Sequence, residues 1–79
     1  MVTRNLRLNY PPTLAGRPVL QELIRSFELK VNLRQAHITL EEGWLEASVE
    51  GDPQEIARAI AWLESEGVKV EEYMWTFNM

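Results

Sequence analysis

The chain has 79 residues, 46% apolar and 25% charged, which suits one small folded domain and leaves no room for a second. It has no cysteine, which excludes disulfide frameworks, iron-sulfur clusters, zinc knuckles and thiol nucleophiles. A net charge of -4 argues against tight nonspecific binding to nucleic acid, whose phosphates call for a surplus of Lys and Arg.

The N-terminal stretch MVTRNLRLNYPP lacks the apolar core of a signal peptide. No apolar run approaches the ~20 residues needed to cross a bilayer, so a soluble cytoplasmic protein without membrane insertion is the expectation. Within TRNLRLNY, Leu6, Leu8 and Tyr10 alternate with Asn5, Arg7 and Asn9, the pattern of a strand with one buried and one polar face. Pro11-Pro12 ends it. In RPVLQELIRSF, Pro18 suits a first helical turn, and Val19, Leu20, Leu23, Ile24 and Phe27 form an apolar stripe at spacings of three and four.

The segment VNLRQAHITLEEGWLEASV predicts a hairpin with an irregularity in its first strand. Val31 and Leu33 are apolar at odd positions, whereas Ala36, Ile38 and Leu40 are apolar at even ones. Strand side chains alternate with a period of two, so this change of phase requires an extra residue or kink near Arg34-Gln35. With Glu42-Gly43 as a two-residue turn, Leu40 faces Leu45, Ile38 faces Ala47 and Ala36 faces Val49.

GDPQEIARAIAWLESEG carries full helix punctuation: Asp52 as N-cap, Pro53 at the first position, Glu55 placed for a capping box and Gly67 past the end. Ile56, Ala59, Ile60 and Leu63 form its packing stripe, with Trp62 beside it as partial core. VKVEEYMW supplies a fourth strand. The order β-α-β-β-α-β predicts an α+β ferredoxin-like (ACT-like) sandwich, a four-stranded antiparallel sheet with two helices on one face. The other face then lacks internal cover and carries Asn5, Arg7, His37, Thr39, Trp44 and Glu46.

Three pieces of the chain together resemble the NIL domain family: RLNYPPTLAGRPVLQELIRSF, the VNL of Val31 to Leu33, and AIAWLESEGVKVE. The family is named for an Asn-Ile-Leu-like segment on its second strand. Here Asn32 and Leu33 stand in place while the middle residue is absent or displaced. The resemblance spans roughly Arg4 to Glu72, and treats the chain as a single NIL domain over residues 1–79 with a core of about 4–75. In the best understood members it implies a ferredoxin-like regulatory domain of the ATP-binding subunit of methionine transporters, which pairs with its twin, binds methionine and inhibits uptake. No GxxxxGK[ST] phosphate loop occurs here, so the regulated protein is expected to be a separate chain.

By this resemblance the ligand-binding residues are Asn32, Leu33 and Arg34. An Asn side chain offers a carbonyl and an amide, and can address either the ammonium or the carboxylate of a free amino acid. A bulged strand beside it leaves backbone N–H and C=O groups to complete the cage. The plainer reading has Asn32 bonding its own backbone at the start of an edge strand. Trp44 and the alternating Tyr73, Trp75 and Phe77 are candidates for a homodimer interface, since contiguous apolar surface on a small domain marks association. Aromatic rings on this face also resemble RNA-binding RRM domains, but the acidic charge and the lack of a basic-aromatic motif weigh against nucleic acid.

His37 is the single histidine and has no Ser, Cys or carboxylate at a recognisable spacing, which makes it a surface residue rather than a general base or metal ligand. Glu41-Glu42 and Glu71-Glu72 resemble neither an acid-base dyad nor a calcium loop. The expectation is therefore a non-enzymatic regulatory domain without cofactor or metal, sensing methionine or a related sulfur amino acid as a homodimer. The alternative is an interaction module that docks on an unknown protein and holds no small ligand.

Overall fold

The computed structural model describes residues 1–14, 16–39, 41 and 43–73. The elements run β1 (Val2–Tyr10), a 3-10 turn (Pro12–Leu14), α1 (Val19–Ser26), β2 (Lys30–Ile38), β3 (Gly43–Gly51), α2 (Pro53–Ser65) and β4 (Lys69–Glu72). All sheet pairings are antiparallel, in the order β2-β3-β1-β4. This is the α+β, ferredoxin-like arrangement that the element order predicts.

Alternation along β1 and β3 creates the core. Leu6 and Leu8 from β1 and Leu45, Ala47 and Val49 from β3 are buried with Val19 and Leu23 of α1 and Ile56, Ala59 and Leu63 of α2. Both helices thus cover the same side of the sheet. The molecule measures 34 × 34 × 16 Å, the thickness of one sheet and one helix layer, and the odd positions of β1 and even positions of β3 form an uncovered face.

The helix signals in α2 act largely as read. Asp52 Oδ1 accepts the Gln54 N–H at 2.8 Å, and Pro53 occupies the first turn. Gly67 takes a φ of 98°, which lets its N–H reach the Glu64 carbonyl and the Val68 N–H reach Leu63, a Schellman end. Glu55 differs from the expected capping box. Its Oε2 accepts the Glu28 N–H at 3.1 Å, so this carboxylate ties α2 to the segment entering β2. In α1, Ile24 falls outside the buried stripe at 47% exposure, while Phe27 packs beside Trp62 with ring centroids 5.9 Å apart.

The irregularity read at Arg34-Gln35 is present: the β2–β3 register shifts between Leu33 and Gln35. The expected hairpin register is corrected. Ile38 lies opposite Gly43 and Ala36 opposite Leu45, so Gly43 is a paired strand residue and not the second residue of a turn. Gly43 belongs to β3, paired also with Tyr10, and a Cβ there would lie 3.5 Å from Tyr10 Cδ2. That is ordinary van der Waals distance, and the φ of Gly43 is not positive, so neither contact nor turn geometry requires a glycine here. The displacement is an even number of residues, which leaves Ala36 and Ile38 on the expected face. Leu40 and Glu42 lie outside the described residues.

Arg17 joins three parts of the helix layer. It donates to both carboxylate oxygens of Glu22, at 2.9 and 2.8 Å, and to Glu66 beyond α2. Hydrogen bonding to Glu22, then Glu66, holds the guanidinium above its ordinary range, and the same pair holds Glu22 below that of a free carboxylate. Arg17 also borders a small cavity of about 50 Å³ with Tyr10, Pro11, Pro12, Leu14, Ile38 and Gly43.

Burial pushes the Tyr10 phenol up from 10.0 to about 12. Because the folded value exceeds the unfolded one, its contribution to stability is complete below pH 10 and is lost as pH rises from 10 to about 12. Alkaline titration of tyrosine absorbance should show the Tyr10 phenol ionising late. Tyr10→Phe should remove that phase and flatten the stability loss across this window; an early titration of both tyrosines would contradict the burial argument.

Candidate functional site

Register assembles polar residues on the uncovered face in rows that cross the sheet. Asn32 of β2 lies opposite Ser48 of β3, which lies opposite Asn5 of β1. Ser48 Oγ donates to Asn5 Oδ1 at 3.1 Å. One row toward the β2 start, Lys30 pairs with Glu50 at 3.9 Å, and Thr3 Oγ1 donates to the same carboxylate. Thr3, Lys30, Asn32, Ser48 and Glu50 line an open hollow of about 350 Å³. That volume falls in the range of small-molecule sites, and both charge signs are present on its wall.

The three predicted ligand residues do not converge on one surface. Asn32 faces the hollow. Leu33 is opposite Ala47, on the side the helices cover, and remains 51% exposed. Arg34 occupies the register shift itself, where its backbone leaves the ladder. Asn32 can therefore act with Ser48 and Asn5, neither of which was singled out from sequence as a ligand group. Their signal was present in the polar alternation of β1 and β3, but the pairing that aligns them is a property of the sheet.

At the opposite end of this face, Trp44 is flanked by two planar cations or potential cations. The Arg7 guanidinium lies 4.2 Å from the indole centroid, and the His37 ring stacks at 5.8 Å with an interplanar angle of 24°. Arg7 stands opposite Glu46 and Glu71 in register, yet Glu46 accepts from Gln35, and Glu71 pairs with Lys69 at 3.7 Å. Of the predicted interface residues, Trp44 is half-buried in this stack, and Tyr73 continues the ladder by donating its N–H to the Asn5 carbonyl at 3.0 Å. Trp75 and Phe77 lie outside the described residues.

Among the described residues, no group of three or more His, Cys, Asp or Glu is placed to hold a metal ion. No described helix is long and apolar enough to cross a membrane.

The NIL domain signature matches residues 4–72. A protein of Paraburkholderia xenovorans named methionine import ATP-binding protein MetN 1 is 34% identical over 71 residues, covering 85% of this chain and 21% of that protein. Proteins of the same name from Burkholderia species match to the same extent, so the chain spans about a fifth of the length of these relatives. An uncharacterized protein of Synechococcus elongatus is 26% identical over 73 residues, covering 89% of this chain and 90% of its own length. Among solved structures, the C-terminal domain of an ABC transporter ATP-binding protein from Enterococcus faecalis superposes with a TM-score of 0.76 at 23% identity, covering 87% of this chain and 81% of that one. The de novo designed protein Foldit4 superposes at 0.58 with 14% identity over 96% and 97% of the two chains, a likeness of fold alone. With the signature covering nearly all of its length, this chain belongs to the NIL domain family.

Proposed function

We propose that this NIL domain is a non-enzymatic regulatory module that binds methionine or a related amino acid and works as a homodimer. The observation that carries the reading is the position of Asn32 on the uncovered face, beside Ser48 and within the 350 Å³ hollow. Its amide can donate to a carboxylate and its carbonyl can accept from an ammonium, while Lys30 and Glu50 offer complementary charges on the same wall. The relatives named for methionine import supply the ligand class. Pairing two copies across the uncovered faces would shelter the hollow, and ligand held there would favour the paired state by linkage.

Isothermal titration with methionine, homocysteine and leucine tests the ligand. The expected result is saturable heat with at least one of them. Asn32→Ala should weaken binding roughly 10- to 100-fold, the worth of a hydrogen bond to a charged group. Heat from none of the three at millimolar concentration removes the ligand claim. The second reading, a docking module without ligand, draws on the Arg7–Trp44–His37 stack, because Trp and Arg are the residue types that dominate interface energetics.

A further inference from the structure

β4 has four residues beside the nine of β1. It covers β1 from Leu6 to Asn9, and the Tyr73 N–H adds one further bond to the Asn5 carbonyl. Val2–Arg4 pair with β3 on their other side, and among the described residues no strand pairs with them on the β4 side. Hydrogen-bonded pairs of an antiparallel ladder recur at every second residue, so after Asn5 the next β1 residue to turn its N–H and C=O toward β4 is Thr3. Sheets normally pair, charge or cover an edge of this kind.

Beyond Tyr73 the sequence continues Met-Trp-Thr-Phe-Asn-Met, residues 74–79, which lie outside the described residues. Sequence and register together select this segment for the edge. Each step back along β1 is one step forward along β4, so position 75 falls opposite Thr3 and position 77 opposite Met1. Odd positions of β1 belong to the uncovered face, and Trp75 and Phe77 share their phase. Trp, Thr and Phe are strand-favouring residue types. Being part of the same chain, the segment meets this edge at a far higher effective concentration than a free strand could.

Thr3 is also a wall of the hollow described above, with Lys30, Asn32, Ser48 and Glu50. All five side chains are polar or charged, whereas small-molecule sites are normally lined by apolar groups with a few polar ones among them. Such a hollow can take the charged head of an amino acid, but beyond the Thr3 methyl and the Lys30 stem it offers little to an apolar side chain. We propose that the residues after Tyr73 extend β4 along Val2–Arg4 and seat the Trp75 indole beside Thr3, as the apolar wall by which the hollow selects methionine. The indole supplies a flat apolar surface to a polarizable thioether. The selecting role rests on the amino-acid reading; the strand extension rests on register and connectivity alone.

The test uses the full chain, cross-strand NOEs and calorimetry. An Hα–Hα NOE between Arg4 and Met74 is expected, because the extended register makes them a close, non-hydrogen-bonded pair, and the Thr3 amide should be protected from exchange. Methionine should bind about ten-fold tighter than alanine, the worth of covering about two methylene-sized groups. Trp75→Ala should bring the two within about three-fold by weakening methionine alone, and Trp75→Phe should restore most of the difference. Asn32→Ala should weaken both ligands alike. The amide spectrum of each variant reports that the fold is kept. Absence of the Arg4–Met74 contact overturns the proposal, as does the same contact formed between differently labelled protomers. So does a methionine preference that Trp75→Ala leaves unchanged. If the contact is present and neither amino acid binds, the amino-acid reading falls and takes the selecting role of Trp75 with it, while the strand extension stands.

Discussion

Replacing Leu8 by alanine is expected to destabilise the domain by about 2–5 kcal/mol, the range for truncating a closed core site. Leu8 is 2% exposed, sits opposite Leu45 and Val70 in the sheet, and belongs to the cluster that both helices cover. A chain of this length has a total stability of roughly 4–12 kcal/mol at the usual 0.05–0.15 kcal/mol per residue, so the change removes about a sixth of it at the least and can remove all of it. Chemical denaturation should show the midpoint falling with little change in slope. Leu33→Ala provides the matched comparison. It removes the same atoms from the same side of the sheet at a half-exposed edge position, and should cost about 0.5 kcal/mol or less. Equal losses at the two positions would show that Leu33 is covered in solution and that the isolated chain is not the folding unit.

Gly51→Ala is expected to cost about 1–3 kcal/mol through overpacking. A Cβ at Gly51 would lie 2.6 Å from Leu29 Cδ2 and 3.2 Å from the Glu28 carbonyl oxygen. The leucine tip can turn aside. The Glu28 carbonyl is less free, because the N–H of the same residue is held by Glu55 from α2. Gly51 is also the last residue of β3, paired with Val2, so a shift there disturbs the sheet as well. Gly16→Ala is the control: nothing lies within 4 Å of a Cβ there, and its φ is not positive, so the substitution should be neutral or slightly stabilising. Comparable losses in thermal denaturation at both glycines would show that contact at Leu29 and Glu28 does not set the cost.

The relation between the two polar ends of the uncovered face bears on how the module could act. The Asn32 hollow lies toward the β2 start, and the Arg7–Trp44–His37 stack lies toward the β2–β3 connection. Arg7 is the connecting residue, two positions from Asn5 on β1 and leaning over Trp44. A stacked guanidinium keeps its planar N–H fork available for a carboxylate.

How much of this was legible in the chain depends on the range of the interaction concerned. The phase change between Leu33 and Ala36 identified the β2 bulge, because side-chain alternation is a local property of extended backbone. The ends of α2 were equally readable, since Asp52, Pro53 and Gly67 act on backbone groups within a few residues. Asn32 could be singled out through the family resemblance, but its neighbours Ser48 and Asn5 come from 16 and 27 residues away and are joined only by sheet register.

Tertiary structure decided what local pattern could not. The sheet pairing places Gly43 inside β3, opposite both Tyr10 and Ile38, and not in the turn suggested by Glu-Gly. Glu55 was drawn from its own helix end to the Glu28 N–H of another segment. The sequence by itself determined the order of elements and the face each apolar residue would take. Which of those residues left water was settled by the sheet order β2-β3-β1-β4, which buries β3 and β1 between neighbours and leaves Leu33 and Ile38 on an edge, because periodicity records direction and only packing supplies cover.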